Sequence, residues 1–171
     1  PGSVSIPLIR EATERQVRTI CFCRARQEVE RLYRAVIDGR YAALADRVKP
    51  YRGGLLPNER RQLERDLFEG RITTIITTNA LELGIDIGQL DVCVMNGYAG
   101  TVASTWQQAG RAGRRSSLSV VVLVATSGPL DQYVVNNPDW FLGRSPEHAV
   151  IDPDNLIILL SHLKCAAFEL P

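Results

Sequence analysis

The residues of this chain best suited to chemistry lie in one short segment, QQAGRAGRR (107–115), directly after Trp106. Five of these nine positions are arginine or glycine, with three arginines and two glycines. A guanidinium group stays charged and can meet a phosphate or carboxylate with two parallel hydrogen bonds, and glycine lets the backbone approach an anion closely. The segment therefore predicts an anion site, although an exposed basic turn without a function would have the same composition.

The composition of the whole chain is typical of a globular domain. Its 171 residues are 45% apolar and 23% charged, and the net charge of +1 does not indicate a nucleic-acid partner. Lys49 and Lys164 are the only lysines among 20 basic residues, which leaves 18 arginines. This bias favours contact with anions, but the base composition of a genome explains it equally well. No apolar stretch reaches the roughly 18 residues of a membrane span, so no membrane contact is expected.

The four cysteines do not have the spacing of a metal site. Cys21 and Cys23 share one face of a predicted strand, whereas Cys93 and Cys165 are isolated in apolar runs. We therefore expect buried thiols in a reducing compartment, a cytoplasmic location and no bound structural metal. The chain begins at Pro1 without an initiator methionine, which suggests that it is a piece of a longer protein.

Strand and helix patterns alternate along the chain, which predicts an α/β fold with a doubly wound, mostly parallel sheet in three layers. Apolar, β-branched runs predict strands at 19–23, 72–78, 90–95 and 118–125, and VKPY (48–51) is a weak strand that contains Pro50. Helices are predicted at 5–16, 26–37, 40–46, 58–70 and 101–111, in part of 129–141, and at 152–170. The last helix is expected to be amphipathic or largely buried.

Three polar segments follow predicted strands. Arg24 and Arg26 come after the first strand, NALELGIDIG (79–88) after the third and NGYAGT (96–101) after the fourth. In open parallel sheets, ligands bind beyond the carboxyl ends of the strands, so we expect these segments to meet at one edge.

Taken together and in this order, the segments resemble a known family. TTNALELGIDI and QQAGRAGR resemble motifs V and VI of superfamily 2 helicases, which lie in the second RecA-like domain, and ICFCRARQEVERL resembles motif IV. YRGGLLPNER, GYAG, PLDQYVVNNPDWFLGR and HLKCAAFELP extend the resemblance to DNA helicases of the MrfA/YprA type. The resemblance runs from about residue 17 to the end. It implies a RecA-like, P-loop NTPase-like helicase C-terminal domain at 1–126, with a packed helical extension at 127–171 that is truncated from a longer parent.

The resemblance also implies roles at an ATP site. Arg114 would be the arginine finger and Arg111 its partner on the γ-phosphate, since a guanidinium there stabilises the charge of the transition state. If helical spacing continued through the turn, both side chains would lie on one face. Gln107 would bind the γ-phosphate or relay its state, although a surface amide is an equal alternative. Asp86 would contact the ribose hydroxyls, and close approach of the backbone would be allowed by Gly84, Gly110 and Gly113.

A second group of residues would contact nucleic acid. Thr78 matches the motif V threonine that contacts a strand phosphate, and Arg24, Arg26 and Arg52 are weaker candidates for backbone contact. Trp106 would either stack on a base or belong to the core. Gln107 stands where many RNA-directed relatives carry histidine, which favours DNA as the partner.

The sequence lacks the parts that would complete an ATPase. No GxxxxGK[ST] phosphate loop and no acidic DExH-like box occur in it. We therefore expect ATP and Mg²⁺ to be held mainly by a preceding RecA-like domain of the same chain, and the fragment alone to be inactive. The resemblance implies an ATP-dependent DNA helicase or translocase with 3′ to 5′ polarity that acts in DNA repair. An RNA helicase domain and a non-catalytic nucleic-acid-binding module remain the alternatives.

Overall fold

The computed structural model describes residues 2–82, 90–113, 118–148, 152 and 154–169. In these ranges five strands form one sheet: β1 (Thr19–Phe22), β2 (Val48–Tyr51), β3 (Thr74–Thr77), β4 (Val92–Asn96) and β5 (Val120–Val124). The helices are α1 (Gly2–Glu14), α2 (Arg26–Val36), α3 (Pro57–Phe68), α4 (Val102–Ala109), α5 (Pro129–Asn136), α6 (Pro138–Gly143) and α7 (Leu156–Glu169). Short 3₁₀-helices span Gly39–Asp46 and Asn79–Leu81.

All neighbouring strands of the sheet are parallel, in the order β2-β3-β1-β4-β5. β1 lies at the centre, where Thr19 is in register with Thr74 of β3 and with Val92 of β4. Parallel strands need crossover connections, and the helices between the strands supply them. The predicted α/β class with a doubly wound parallel sheet is confirmed.

A separate hydrophobic core covers each face of the sheet. Successive residues of β1 and of the position after it belong to different cores. Ile20 and Phe22 belong to one core, and Cys21 and Cys23 to the other. The first core packs against α3 and the segments that flank α4, and the second packs against α1 and α2. Because both faces are covered, every residue of β1 and β3 is buried, as near-continuous apolar strands require.

Local sequence signals explain where α3 begins and ends. Pro57 occupies its first position, where the backbone N–H of other residues has no partner within the helix, so that the lack of an N–H in proline costs no hydrogen bond. The Glu59 carboxylate accepts from the Leu56 N–H at 3.2 Å. Gly70 follows the helix with a φ of +76°, a left-handed conformation that favours glycine. Pro50 lies in β2, an edge strand, which is where a sheet tolerates proline.

The terminal helix departs from the prediction. α7 begins at Leu156, where the Asn155 side chain accepts from the Ile158 N–H at 3.3 Å, rather than at Asp152. The prediction that it is amphipathic or largely buried is wrong for this chain. Its large apolar residues are between 41% and 91% exposed: Leu156, Ile157, Ile158, Leu159, Leu160, Leu163 and Phe168.

Three of the four cysteines are buried, as expected, and Cys165 on α7 is exposed. Burial raises the pKa of Cys93 to about 12, and contact with Cys23 together with burial raises the pKa of Cys21. These thiols therefore stay protonated at neutral pH and pack as small apolar groups. Among the described residues, no helix combines the length and the apolar character that a membrane crossing requires.

Candidate functional site

The parallel strands all end at the same edge of the sheet, and a cleft of about 500 Å³ opens there. The loops after β1, β3 and β4 line it together with α4 and the start of α5. Its polar lining includes Arg24, Asn79, Asn96, Ser104, Gln108 and Asp131. The polar segments that the sequence placed after three strands do meet at one edge.

The segment after β3 is held in a tight turn. Thr78 is buried, and its hydroxyl accepts from the Ala80 N–H at 3.4 Å, at the start of the 3₁₀-helix. The Glu82 N–H then donates to the Asn79 carbonyl at 2.9 Å. Leu81 is fully buried in the core below. Thr78 and Glu82 are therefore joined by a single anchored turn.

Glu82 connects this turn to α4 through three contacts. Its carboxylate accepts from the Ser104 hydroxyl at 2.8 Å and from the Gln108 side-chain amide at 3.0 Å. Its backbone carbonyl accepts from Nε of Arg111 at 3.1 Å and also from Nη2 of that guanidinium. The guanidinium of Arg111 is thus held in place by a backbone atom of the segment that resembles motif V.

A second junction lies on the far side of residues 83–89. Leu90 forms a parallel bridge with Ala112, and the Gly113 N–H donates to the Leu90 carbonyl at 3.0 Å. Residues on both sides of the GID segment (84–86) therefore contact the arginine-rich turn (110–115). Gly84 and Asp86 lie within residues 83–89, and Arg114 within 114–117, so all three are outside the residues that the structure describes.

The turn itself differs from the expected continuous helix. α4 ends at Ala109, and Gly110 has an ordinary φ of −65°. Gly113 has a φ of +86°, and a Cβ built there would lie 2.5 Å from the Ser119 hydroxyl. Gly113 therefore breaks the helical path, so the helical spacing on which a shared face for Arg111 and Arg114 depended does not continue through the turn. Of Gly110 and Gly113, only Gly113 has a backbone conformation that itself calls for glycine.

The two glutamines at the end of α4 have different environments. Gln107 is exposed, whereas Gln108 is buried and bonded to Glu82. From the sequence, a role was predicted for Gln107 and none for Gln108, Ser104 or Glu82. One signal was available, because Glu82 is a lone carboxylate between two leucines in a segment that follows a buried strand.

Arg24 belongs to a polar cluster at the end of β1. Its guanidinium donates to the Tyr98 carbonyl at 3.2 Å and forms an ion pair with Asp131 of α5, whose side chain is only 1% exposed. Asp131 also accepts from the N–H groups of Tyr98 at 3.2 Å and Thr126 at 2.8 Å. Burial acts to raise the pKa of Asp131, but these hydrogen bonds and the charge of Arg24 outweigh it and leave the pKa below its ordinary value.

The two other candidate arginines lie at the neighbouring loops. Arg52 forms an ion pair with Glu30 of α2 at 2.8 Å. Arg26 is exposed and lies against the loop after β2, since a Cβ on Gly53 would come within 3.0 Å of its Nη2. Arg26 has no ion pair with the part of the chain that the structure describes.

The residues after 127 contact the site from the side. Trp106 of α4 stacks on Phe141 of α6, with ring centroids 5.4 Å apart and planes 13° apart, and Tyr98 meets the same ring edge-on at 6.3 Å. One face of Trp106 is therefore already covered. The Glu147 carboxylate accepts from the first two N–H groups of α4, Val102 at 2.7 Å and Ala103 at 2.9 Å.

These bonds at the helix start hold the pKa of Glu147 below its ordinary value, because they favour the charged carboxylate. The described residues contain no group of three or more His, Cys, Asp or Glu side chains placed to hold a metal ion.

Comparison with known proteins agrees with this architecture. The helicase conserved C-terminal domain family matches residues 4–116. The ATP-dependent helicase YprA of Bacillus subtilis (strain 168) is 54% identical over 165 residues, which are 96% of this chain and 22% of YprA. The ATP-dependent helicase HRQ1 of Saccharomyces cerevisiae is 44% identical over 163 residues, which are 91% of this chain and 15% of that protein.

The solved structures give the same result. The DUF1998 helicase MrfA bound to DNA and AMPPNP matches with a TM-score of 0.90 at 52% identity, over 99% of this chain and 24% of that chain. The chain belongs to the helicase conserved C-terminal domain family. Within it, the chain is a superfamily 2 RecA-like domain of the MrfA/YprA type, as the sequence motifs predicted. It spans less than a quarter of the length of YprA, HRQ1 and the MrfA chain.

Proposed function

We propose that this chain is the second motor domain of an ATP-dependent DNA helicase or translocase. It supplies guanidinium groups to ATP bound mainly by a preceding RecA-like domain, and it provides part of a single-strand DNA track. The observation that carries the proposal is the junction between the GID segment and the arginine-rich turn. Arg111 is bonded to Glu82 on one flank, and Gly113 to Leu90 on the other.

The guanidinium of Arg111 supports the ATP part of the proposal. It is half-buried and oriented by the Glu82 carbonyl. The guanidinium therefore loses little conformational entropy when an anion binds beside it. ATP would supply the phosphoryl group whose transfer drives the motor, and negative charge on that group is what a guanidinium stabilises. Arg114, directly after Gly113, is the proposed finger, and Asp86 the proposed ribose contact.

The carboxyl edge of the sheet supports the DNA part. Thr78 lies there at a strand end, and Arg24, Arg26 and Arg52 surround it at the neighbouring loops. Neutral hydroxyls and guanidinium groups position a phosphate backbone without reading its sequence. The MrfA structure bound to DNA, at 52% identity, favours DNA over RNA. Polarity from 3′ to 5′ and a place in DNA repair are proposed from the family resemblance alone, and a cytoplasmic location from the pattern of cysteines.

Three variants of the full-length protein test the separation of roles. Arg114→Ala should lower the DNA-stimulated ATPase rate by on the order of 10³ while DNA affinity is largely kept, because it removes charge needed only in the transition state. Thr78→Ala should instead weaken binding to single-stranded DNA. Arg115→Ala is the matched control, since it removes the adjacent positive charge, to which no role is assigned. Steady-state ATPase rates and fluorescence anisotropy with labelled DNA measure both effects.

Equal losses of ATPase activity and DNA binding in the Arg114→Ala and Thr78→Ala variants would contradict the assignment. Unwinding of RNA duplexes in preference to DNA duplexes by the wild-type protein would favour the RNA helicase alternative. A wild-type full-length protein without ATPase activity would favour a non-catalytic binding module.

A further inference from the structure

Glu82 is the described residue that makes the largest number of polar contacts between the turn after β3 and α4. Its two carboxylate oxygens bind different donors, Oε1 the Ser104 hydroxyl and Oε2 the Gln108 amide. Ser104 and Gln108 are four residues apart, so they lie on one face of α4. A carboxylate fits this position because it has only acceptors, whereas the two side chains on α4 offer an O–H and an N–H.

The backbone of Glu82 makes the third contact. Its carbonyl accepts from the Arg111 guanidinium, so a shift of residue 82 would displace that charged group. The two carboxylate contacts fix the position of this carbonyl. The side chain of Glu82 therefore acts on Arg111 through the main chain of its own residue.

On its other side, Glu82 is tied to Thr78. Only the turn Asn79–Leu81 separates them, closed by the hydrogen bonds at Ala80 and Glu82, and Leu81 is anchored in the core. A displacement at Thr78 cannot be absorbed by a flexible loop, because the turn is short and anchored. Such a displacement would therefore move Glu82 and, through the Glu82 carbonyl, the Arg111 guanidinium.

We propose that Glu82 is a positioning residue that couples DNA contact at Thr78 to the placement of the Arg111 guanidinium. The inference rests on the proposed function, in which Thr78 contacts the strand and Arg111 the triphosphate. Glu82 itself contacts neither ligand. Its role is to make the ATPase rate depend on whether DNA is bound.

The experiment compares Glu82→Ala, Glu82→Gln and the control Glu11→Ala in the full-length protein, each with and without saturating single-stranded DNA. Glu11 is an exposed acid of α1 paired with Arg15, and α1 packs on the opposite face of the sheet from Leu81 of the turn. Glu82→Ala should lower the stimulation of kcat by DNA about tenfold, the scale of a lost coupling between two sites. The Kd for DNA should stay within about twofold of wild type, and the rate without DNA should fall less than the rate with DNA.

The conservative variant separates positioning from general stability. A glutamine at 82 accepts from Ser104 with its oxygen, and the Gln108 amide can flip to accept from its NH₂ group, so both contacts survive. Glu82→Gln should therefore keep most of the stimulation. Ser104→Ala removes one of the two contacts without changing residue 82, and it should give an intermediate loss at an unchanged Tm.

Two results would overturn the inference while leaving the proposed function intact. One is full DNA stimulation in Glu82→Ala. The other is an equal loss of the rates with and without DNA together with a lowered Tm, which would mark a purely structural role. A wild-type protein whose ATPase does not respond to DNA would instead contradict the proposed function itself.

Discussion

The three arginines proposed for the DNA track differ in how much of their charge is available to a phosphate. Arg24 is paired with the buried Asp131, and Arg52 with Glu30. Arg26 is exposed at the start of α2 and, within the described ranges, has no ion pair. A phosphate near Arg26 would displace no partner among those residues, so Arg26 should contribute most of the three to strand affinity.

Replacing Arg26 with alanine in the full-length protein should weaken single-stranded DNA binding by about tenfold. It should also lower the slope of log Kd against log salt concentration by about 0.7, which is the effect of one phosphate contact. Arg34→Ala is the matched control, because Arg34 is exposed on the last turn of the same helix, at the opposite edge of the sheet. Anisotropy titrations at several salt concentrations measure both quantities. Equal effects of the two substitutions would show that general surface charge attracts the strand.

For individual residues, the position of the site could be predicted from the sequence, but the contacts within it could not. The strand-end position of Thr78 and the arginine-rich turn followed from periodicity and motif spacing. The partners of Arg24 and Glu82 did not, because Asp131 and Gln108 are 107 and 26 residues away in the chain. Such contacts depend on how the crossover helices pack, which no local pattern encodes.

Among the elements, α4 links the two proposed sites of the domain. Its first turn is capped by Thr101 and by the Glu147 carboxylate, and its far end leads into the left-handed turn at Gly113. The N-terminal cap from Glu147 comes from 45 residues along the chain, so the helix start was predictable only from Thr101. The end of α4 was predicted two residues too late because Gly110 and Arg111 continue the helical pattern of the sequence.

Gly113→Ala should destabilise the domain by about 2–3 kcal/mol, since a Cβ there adds left-handed strain and a clash with Ser119. Gly39→Ala is the matched control. Gly39 also has a positive φ, of +60°, but nothing lies within 4 Å of its Cβ position, so strain alone should cost about 1 kcal/mol. Urea unfolding followed by circular dichroism gives both values. A Gly113→Ala variant no less stable than Gly39→Ala would show that Ser119 moves aside without penalty.

The molecule as a whole is a helicase C-terminal domain without a complete ATP site in its sequence. Its sequence contains motifs V and VI but neither a phosphate loop nor a DExH-like box, and its family membership is that of a helicase C-terminal domain. The α/β class and the three central strands were predictable because parallel strands covered on both faces are nearly continuous apolar runs, and β5 is also an apolar run although it lies at an edge. The edge strand β2, with Lys49 and Pro50, gave only a weak signal. The exposure of α7 was not predictable, because an apolar helix gives the same pattern whatever covers it.

The isolated 171-residue chain should bind ATP only weakly and should not hydrolyse it, because the residues that hold most of the triphosphate are absent from its sequence. Isothermal titration with ATP and a phosphate-release assay on the purified chain measure the two properties. Turnover that persists in an Arg111→Ala, Arg114→Ala double variant would point to a contaminating ATPase. Turnover that this double variant abolishes would show that the chain is a complete enzyme.

Pro50 gives the sheet a defined outer limit. A proline in β2 has no N–H to offer a further strand, and a sheet that exposed an unbroken row of donors would be a template for other chains. A flank without this donor offers less to edge-to-edge stacking of one copy of the chain on another. In the proposed motor, the same ring would keep the sheets of two domains from joining into one.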